Sequence, residues 1–402
     1  MKERSTNTSS ASGVRNGFYG RMAEAEKQNN IKFILIAAGI LSLAVILLFT
    51  AVHLETNAGR YIYVYGEHQQ KIRKNLAYSD DFLMIDMNSL ANYAGIEKTA
   101  TGTQATYKIN GTVATFENGK NTALVNGIEI KMSAKVLIKN GYCLIPLENA
   151  EDMLVGVNFV INKKTITFNR KNENIYMIAK EPHVEYETDM DKYWSAINSD
   201  DDYITILVNK EHSVDENYPA DKDSLIEIPA KYRKSDVIYL YKDAEKALEA
   251  LMQDAFALGY TDTYVTSAYR SYSYQSMLFY DIYVKQEMQN GLSESDAINK
   301  VLTYSQRPGE SEHQTGLCVD FTTRGIGGVL EDTFETTEVF KWLKDNAWKY
   351  GFILRYPKEK SDITGISYES WHYRFVGLQR ASIIYQTGMC YEEYLEYFEK
   401  GE

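Results

Sequence analysis

The chain has 402 residues, of which 44% are hydrophobic, and its formal net charge is −12. This length allows two or three domains with globular cores. The acidic balance excludes nucleic acid as an expected partner, because binding to phosphates requires a basic surface. The three cysteines are far apart and odd in number, which excludes the disulfide framework that holds many small secreted domains together.

The N-terminal region divides into a polar tail and an apolar segment. Residues 1–32 are polar and lack hydrophobic periodicity, so they are predicted to form a disordered cytoplasmic tail. The run from Phe33 to Val52 contains no charged residue. It supplies the roughly 20 residues that cross a bilayer and exceeds the apolar core of a cleaved signal peptide. We therefore predict an uncleaved transmembrane signal anchor at residues 33–54. The basic N-terminal flank then places everything after Leu54 outside, in a single-pass cell-membrane protein.

Residues 61–170 contain short apolar runs separated by turn signals. Four Asn-Gly pairs lie between them, beginning at Asn110, Asn118, Asn126 and Asn140. Asn-Gly accepts the positive φ angles of tight hairpin turns, so this region is predicted to be a mainly β domain. Residues 82–96 and 142–157 share an order of strand, short helix and glycine, which suggests an internal duplication.

The same region carries a family resemblance. Through the stretch from VNGIEI to LIPLENAEDMLVGV and the closing ITFNR, it resembles the copper amine oxidase N-terminal-like domain of exported Gram-positive proteins. Its only histidine is His68, and it has no cluster of soft ligands that could bind copper. We predict a spacer or wall-binding role. Residues 171–202 are polar and acidic, which indicates a linker with a short helix around Lys192 to Ile197.

Residues 203–400 combine helical and strand patterns. Strands are predicted at residues 203–208, Thr263 to Ala268, Leu317 to Thr322 and Trp371 to Val376. Helices are predicted at Lys242 to Leu258, Ser271 to Lys285, Ser293 to Tyr304, Glu338 to Tyr350 and Glu392 to Glu399. Helices packed around an antiparallel sheet make this an α+β domain.

Two motifs of this domain carry metal-site chemistry. In SEHQTGLCVD, His313 precedes Asp320 by seven positions with a Thr-Gly turn between them. In ESWHYRFVG, Glu369 precedes His372 by three positions. Two imidazoles, one carboxylate and one spare carboxylate are the groups of a catalytic zinc site. We expect His313 and Asp320 to lie on neighbouring strands, and Glu369 in the loop before the strand of His372.

A third motif, SAYRSYSYQ, contains Arg270 and Gln275. The three motifs occur in the order found in VanY-type D-alanyl-D-alanine carboxypeptidases, and about the last half of the chain resembles that family. Its zinc fold is shared with D-alanyl-D-alanine dipeptidases and L,D-carboxypeptidases. The resemblance implies that the Zn²⁺ ligands are His313, Asp320 and His372. It also implies that the catalytic base is Glu369 and that the substrate pocket is lined by Arg270, Gln275 and Ser311.

Together with the predicted signal anchor, the resemblance implies a membrane-anchored extracytoplasmic zinc carboxypeptidase that removes the terminal D-Ala from peptidoglycan stem peptides. In this mechanism zinc activates water and Glu369 accepts its proton. Arg270 either binds the terminal carboxylate of the substrate or stabilises the oxyanion. Three alternatives stay open: an L,D-carboxypeptidase, an endopeptidase on wall peptides, and a non-catalytic wall-binding protein.

Three further residues need an interpretation. Cys318 lies two residues before Asp320 and faces the same side if both are in a strand. Its thiolate could compete for zinc, but the family usually has a small residue here, and we favour a buried packing role. His212 is interpreted as structural or substrate-proximal, and His183 as a linker residue.

Overall fold

The computed structural model describes residues 60–73, 77–219, 221–234 and 236–399. The described residues fall into two compact units: residues 60–73 and 77–78 with 160–168, and the described part of residues 79–159 with 169–399. The predicted tail and signal anchor lie outside the described residues. Across the described ranges, no helix combines the length and the apolar character needed to span a bilayer. The signal anchor and the domain boundaries stay predictions.

The region from residue 60 to residue 170 is mainly β, as predicted. Its strands are β1 (Arg60–Tyr65), β2 (His68–Arg73), β3 (Tyr78–Ser79), β4 (Phe82–Asp86), β5 (Glu97–Ala100), β6 (Gln104–Ile109), β7 (Thr112–Glu117), β8 (Thr122–Val125), β9 (Ile128–Lys131), β10 (Leu137–Lys139), β11 (Tyr142–Pro146), β12 (Leu154–Val155), β13 (Val157–Asn162) and β14 (Thr165–Arg170). Its helices are α1 (Met87–Ala94) and α2 (Leu147–Met153).

The first unit contains a sheet built on β1. This strand pairs antiparallel with β2 and parallel with β14. Tyr65 stacks on Phe168 with ring centroids 4.5 Å apart, and both side chains are buried. Aromatic stacking and burial together therefore join β1 to β14.

In the second unit, β5 to β9 form an antiparallel meander in chain order. Its tight turns follow the predicted Asn-Gly chemistry at Asn110 and Asn126, which both have positive φ, as does Asn140 between β10 and β11. Asn118 differs, because only the following glycine has a positive φ. The Asn118 side chain instead accepts a hydrogen bond from the backbone of Ile138 at 2.7 Å. Three of the four pairs are therefore hairpin turns, and the fourth braces a longer loop.

The predicted duplication corresponds to two strand-helix units, β4 with α1 and β11 with α2. Their strands pair antiparallel, with Leu144 opposite Asp86. The two helix starts differ, because Asp86 caps α1 through its carboxylate, whereas Pro146 precedes α2 without a side-chain cap. The two segments thus share an order of elements but not a capping chemistry.

The remainder of the second unit is α+β, as predicted. Its strands are β15 (Tyr176–Met177), β16 (Leu225–Glu227), β17 (Tyr239–Tyr241), β18 (Thr263–Ser267), β19 (Cys318–Thr323), β20 (Phe352–Tyr356) and β21 (Glu369–Phe375). Its helices are α3 (Trp194–Ile197), α4 (Lys242–Ala257), α5 (Tyr272–Ser276), α6 (Lys285–Gln289), α7 (Glu294–Val301), α8 (Glu338–Asn346), α9 (Ser361–Thr364), α10 (Leu378–Thr387) and α11 (Tyr391–Tyr394). A π-helical segment, Met277–Val284, joins α5 to α6, and another, Leu395–Glu399, follows α11.

The central sheet of this part has the order β18-β19-β21-β20, and all its neighbours are antiparallel. Every residue of β19 is buried. The longest helix, α4, buries residues at helical spacing, among them Ala244, Leu248 and Leu251. The hydrophobic core therefore surrounds the two middle strands, β19 and β21, and fixes their positions.

The prediction of a strand at residues 203–208 is wrong. Asp202–Thr205 is a 3-10 helix, and the residues after it are not in a strand. Arg374, which is buried, donates hydrogen bonds from Nη2 to the carbonyl oxygens of Ile204 and Ile206. Because these carbonyls are bound by a side chain from β21, they are not available for a strand ladder.

Substitution of Gly351 by alanine should destabilise the fold more than the same change at Gly388. Both glycines have positive φ, at 80° and 67°, which costs an L-residue about 1–2 kcal/mol. A Cβ at Gly351 would lie 2.7 Å from Cε2 of Phe375, whereas at Gly388 it would meet nothing within 4 Å. We expect Gly351→Ala to cost about 1–3 kcal/mol more, as overpacking does. Urea unfolding of both variants measures the difference, and equal losses would contradict this account.

Candidate active site

Two paired strands and a short turn bring the three predicted metal ligands together. Asp320 in β19 lies directly opposite His372 in β21. His313 was predicted to lie in a strand, and this prediction is wrong. It lies in a 3-10 turn, Glu312–Thr315. The turn ends at Gly316, whose φ is 71° and where a Cβ would lie 2.8 Å from Leu225. A left-handed glycine therefore returns the chain towards β19 and places His313 beside Asp320.

Glu369 is the first residue of β21 and not a loop residue, so that prediction is wrong. Residues three apart in a regular strand face opposite sides, which would separate Glu369 from His372. The pairing of β20 with β21 is irregular, however. Leu354 lies opposite Tyr373, but Tyr356 lies opposite Glu369. This bulge adds residues to β21 and turns Glu369 to the side of His372.

The four side chains meet around the carboxylate of Asp320. Its Oδ1 is 2.9 Å from Nδ1 of His372, and its Oδ2 is 3.4 Å from Nε2 of His313. The two imidazole rings are T-shaped, with centroids 4.9 Å apart. Oε2 of Glu369 lies 3.7 Å from Nδ1 of His372. The structure thus brings together the residues that the motifs singled out, and their individual roles stay predictions.

Hydrogen bonds on the outer side of each ring fix the orientation of the imidazoles. Nδ1 of His313 lies 2.7 Å from the carbonyl oxygen of Ala268. Nε2 of His372 lies 2.7 Å from Oε1 of Glu312. A carbonyl or carboxylate oxygen can only accept, so these two nitrogens carry the hydrogens. The other ring nitrogens, Nε2 of His313 and Nδ1 of His372, both face Asp320, and each offers a lone pair to a cation once it has lost its proton.

The electrostatics of the cluster favour positive charge beside Asp320. Burial and the Arg270 charge lower the pKa of His313, but Cys318 and Asp320 outweigh both and raise it to about 9. Burial also lowers the pKa of His372, yet Cys318 and Asp320 hold that pKa well above its usual value. Burial raises the pKa of Asp320, but the two imidazoles hold it well below its usual range. Either protons or a bound cation can supply this charge.

The same donor set fits a divalent metal ion. Two imidazole nitrogens and the carboxylate of Asp320 that they face converge within the distances given above. These are the donors and the number of protein ligands that catalytic zinc sites use. Outer hydrogen bonds from ligating histidines to carbonyl or carboxylate oxygens are also typical of such sites. His313, Asp320 and His372 are therefore the residues that could hold the metal.

Glu369 has the properties of a base next to this cluster. Burial raises its pKa to about 7, although the neighbouring His372 charge opposes the shift. A general base is most effective when its pKa lies near the working pH. Glu369 could therefore exchange a proton near neutral pH.

Arg270 follows β18 and is held directly over Asp320. Its Nη2 donates to Oδ2 of Asp320 at 2.9 Å, and its Nε donates to Oγ of Ser267 at 2.9 Å. Its Nη1 lies 3.4 Å from Oε1 of Gln275, a long contact. Gln275 is itself fixed, because its Nε2 donates to the carbonyl oxygen of Gln306 at 2.7 Å. The guanidinium is therefore oriented, with Nη1 as its least engaged nitrogen.

These groups line one cavity of about 300 Å³. The predicted pocket residues Arg270, Gln275 and Ser311 all contribute to its wall. Its aromatic lining consists of Tyr283, Tyr304, Tyr356, Tyr368 and Trp371. The cavity thus combines charged groups, including the candidate metal ligands, with aromatic side chains. Small-molecule and peptide sites commonly combine these features.

The motif analysis missed Glu312 as a functional residue. Its Oε1 accepts from His372, and its Oε2 accepts from Arg355 at 3.0 Å and from Arg374 at 3.2 Å. All these side chains are buried. Burial raises the pKa of Glu312, but Arg355, the hydrogen bond from His372 and Arg374 hold it well below its usual range. Arg355 also forms a bidentate pair with Glu392. Glu312 directly precedes His313 in SEHQTGLCVD, and this position could have indicated a role in the site.

Replacing Glu312 with glutamine should weaken metal binding by about 10–100-fold, as loss of an outer partner does at other metal sites. The change removes the charge that holds His372 in place and leaves two buried arginines less well paired, so stability should also fall. Metal competition titrations and thermal melts of the metal-free protein separate the two effects. Glu392→Gln is the matched control, because Glu392 binds Arg355 but not His372. Equal metal affinities in both variants would contradict the positioning role.

Of the three further residues that the sequence singled out, Cys318 lies inside the site, and His212 and His183 lie outside it. Cys318 is buried, as predicted, and the ligand atoms of His313, Cys318 and His372 all lie within 4.8 Å of one another. His212 is exposed and contacts Asn209 at 3.0 Å. His183 lines a different cavity.

Two family models match the chain, and both confirm the predicted resemblances. Residues 237–378 match the D-alanyl-D-alanine carboxypeptidase family, VanY. Residues 67–168 match the copper amine oxidase N-terminal domain. The first match contains all the residues that line the cavity with the candidate metal ligands.

Several proteins of known name are similar to this chain. A D-alanyl-D-alanine carboxypeptidase of Enterococcus faecalis is 34% identical over 226 residues, which are 56% of this chain and 71% of that protein. The structure of the LdcB LD-carboxypeptidase is 38% identical with a TM-score of 0.42, and the match covers 48% of this chain and 85% of that one. A mutant of the vancomycin resistance D,D-pentapeptidase VanY in complex with Zn(II) is 34% identical with a TM-score of 0.40, covering 48% and 99%.

The relationship to the Enterococcus faecalis protein extends over more than two thirds of that relative. The family match covers the segment in which the imidazoles, the carboxylates and Arg270 converge. The chain therefore belongs to the VanY family of D-alanyl-D-alanine carboxypeptidases and is a metallopeptidase.

Proposed function

We propose that this chain is a zinc D,D-carboxypeptidase that removes the terminal D-Ala from peptidoglycan stem peptides. The observation that carries the proposal is the meeting of two imidazoles and two carboxylates at one end of a cavity that also presents an arginine. A family relative is named as a D-alanyl-D-alanine carboxypeptidase, which supports this substrate class.

His313 would hold the metal through Nε2, His372 through Nδ1, and Asp320 through its carboxylate. When bound, zinc lowers the pKa of water from about 15.7 towards about 7 and polarises the scissile carbonyl. The protein keeps its own donors in place by the hydrogen bonds to Ala268 and Glu312. These bonds fix both ring orientations before substrate arrives.

Glu369 would move the proton during hydrolysis. Its carboxylate accepts a proton from the attacking water and transfers it to the nitrogen of the departing D-Ala. A carbon–oxygen bond forms as the amide carbon–nitrogen bond breaks. The products are a peptide shortened by one residue, with a new carboxylate, and free D-Ala.

Arg270 would bind the terminal carboxylate of the substrate or stabilise the developing oxyanion. Two of its nitrogens are engaged by Asp320 and Ser267, which leaves Nη1 beside Gln275 as the donor for substrate. A fixed guanidinium pairs well with a carboxylate. Recognition of a free carboxylate would restrict cleavage to one terminal residue.

The test is incubation of the purified full chain and zinc with three peptides, followed by mass spectrometry of the products. The peptides are a stem pentapeptide ending in D-Ala-D-Ala, the same pentapeptide with an amidated terminus, and a stem tetrapeptide. We expect loss of one alanine from the first and little cleavage of the second. Loss of alanine from the tetrapeptide alone would favour the L,D-carboxypeptidase. Release of alanine from none of them would contradict the proposal.

We further propose that the activity is located outside the cytoplasmic membrane, with residues 33–54 as the anchor. The argument comes from the apolar run of Phe33 to Val52 and from the position of the proposed substrate. Protease added to intact cells should then degrade the C-terminal region of the chain. Protection of that region until the cells are lysed would contradict this location.

A further inference from the structure

Cys318 is a buried thiol inside the site that the proposed mechanism does not use. It is the first residue of β19 and is fully buried. Residues two apart in a strand face the same side, so Cys318 and Asp320 point towards the same region. Cys143 and Cys390 are equally buried but belong to other parts of the second unit, and all three thiols are free.

The thiol completes a compact group of donors. The ligand atoms of His313, Cys318 and His372 all lie within 4.8 Å of one another. Around a tetrahedral ion with metal–nitrogen distances near 2.0–2.1 Å and metal–sulfur distances near 2.3 Å, donor atoms are about 3.3–3.6 Å apart. Each pair therefore needs to close by about 1.5 Å at most, a shift that side-chain torsions can supply.

The surroundings of the sulfur favour coordination over packing alone. Its neighbours in the group of ligand atoms that lie within 4.8 Å of one another are the imidazoles of His313 and His372. These are the two residues that the proposed zinc site shares with it. Asp320, the other candidate ligand on this strand, is also engaged by Arg270 at 2.9 Å. A carboxylate that shares its charge with a guanidinium is a weaker donor to a metal. A sulfur donor nearby can therefore contribute more to metal binding.

We propose that Cys318 is a protein ligand at this site, so that an ion held by His313 and His372 binds the sulfur of Cys318 in exchange with the carboxylate of Asp320, and one position stays open for water. The inference rests on the proposed metal site. Its ligand class is a soft or borderline divalent ion such as Co²⁺, Zn²⁺ or Cd²⁺, because thiolate prefers these ions to hard ones such as Mn²⁺.

The experiment is addition of Co²⁺ to the metal-free full chain, followed by absorption spectroscopy. A bound cobalt ion gives ligand-field bands in the visible range, and a cobalt–sulfur bond adds a charge-transfer band in the near ultraviolet. We expect both in the unsubstituted protein. Cys318→Ala and Cys318→Ser should keep the visible bands and lose the ultraviolet band. Cys143→Ala and Cys390→Ala, which remove equally buried thiols, should keep both.

A second readout is metal preference, measured by competition titration. Cys318→Ala should weaken Cd²⁺ binding by at least about 10–100-fold, the range seen when even an outer partner of a ligand is lost, and leave Mn²⁺ binding nearly unchanged. Visible bands without the ultraviolet band in the unsubstituted protein would overturn the inference and leave the proposed function intact. An ultraviolet band that persists in Cys318→Ala would also overturn it. Failure to bind cobalt at all would overturn both proposals.

Discussion

Replacing Glu369 with alanine should reduce turnover by about 10²–10⁴-fold, the usual contribution of a general base, while the zinc content per chain stays unchanged. The reason is geometric. Glu369 lies 3.7 Å from Nδ1 of His372 on the cavity side, and it is not one of the three donors that converge on each other. Its loss removes the proton acceptor and leaves His313, Asp320 and His372 in place. Steady-state hydrolysis of the pentapeptide and elemental analysis of the purified variant measure the two quantities.

The matched control is Glu338→Ala, a glutamate on α8 whose side chain is 74% exposed. It should leave both activity and zinc content unchanged. Full activity in Glu369→Ala would show that another group accepts the proton. Loss of zinc in that variant would instead make Glu369 a ligand.

Replacing His372 with alanine should remove both the metal and the activity. His372 contacts Asp320 through one ring nitrogen and Glu312 through the other. Its loss removes one of the three candidate metal ligands. Metal catalysis supplies several kcal/mol of transition-state stabilisation, and each 1.4 kcal/mol is worth about a factor of ten in rate. We expect activity to fall by about three orders of magnitude or more. Zinc titration and peptide hydrolysis measure the losses.

Removal of the metal by a chelator should abolish activity, as the His372→Ala substitution does. The unsubstituted chain should lose activity after dialysis against a chelator and regain it with Zn²⁺, whereas His372→Ala should not respond to Zn²⁺. His212→Ala is the matched control, because His212 is an exposed histidine that contacts Asn209. It should behave like the unsubstituted chain. Metal binding and activity retained in His372→Ala would mean that the ion is held elsewhere.

The amino-acid sequence determined the α+β class, the hairpin turns and the composition of the site. These features depend on short-range patterns, such as Asn-Gly turns and hydrophobic periodicity, which act within a few residues. The motif residues could likewise be read directly, because His313 and Asp320 are separated by one turn and Glu369 and His372 by one short strand segment. The family resemblance indicated that the three motifs belong to one site. The two family matches confirmed the resemblances.

The tertiary structure alone decided how those residues face one another. The bulge in β21 opposite Arg355 turns Glu369 towards His372, and it arises from the pairing of two strands and not from the sequence of either. The role of Glu312 depends on Arg355 and Arg374, which reach it from other strands of the sheet. The carbonyls that exclude a strand at residues 203–208 are likewise bound by a distant arginine. Such contacts join residues far apart in the chain, and so only the folded packing specifies them.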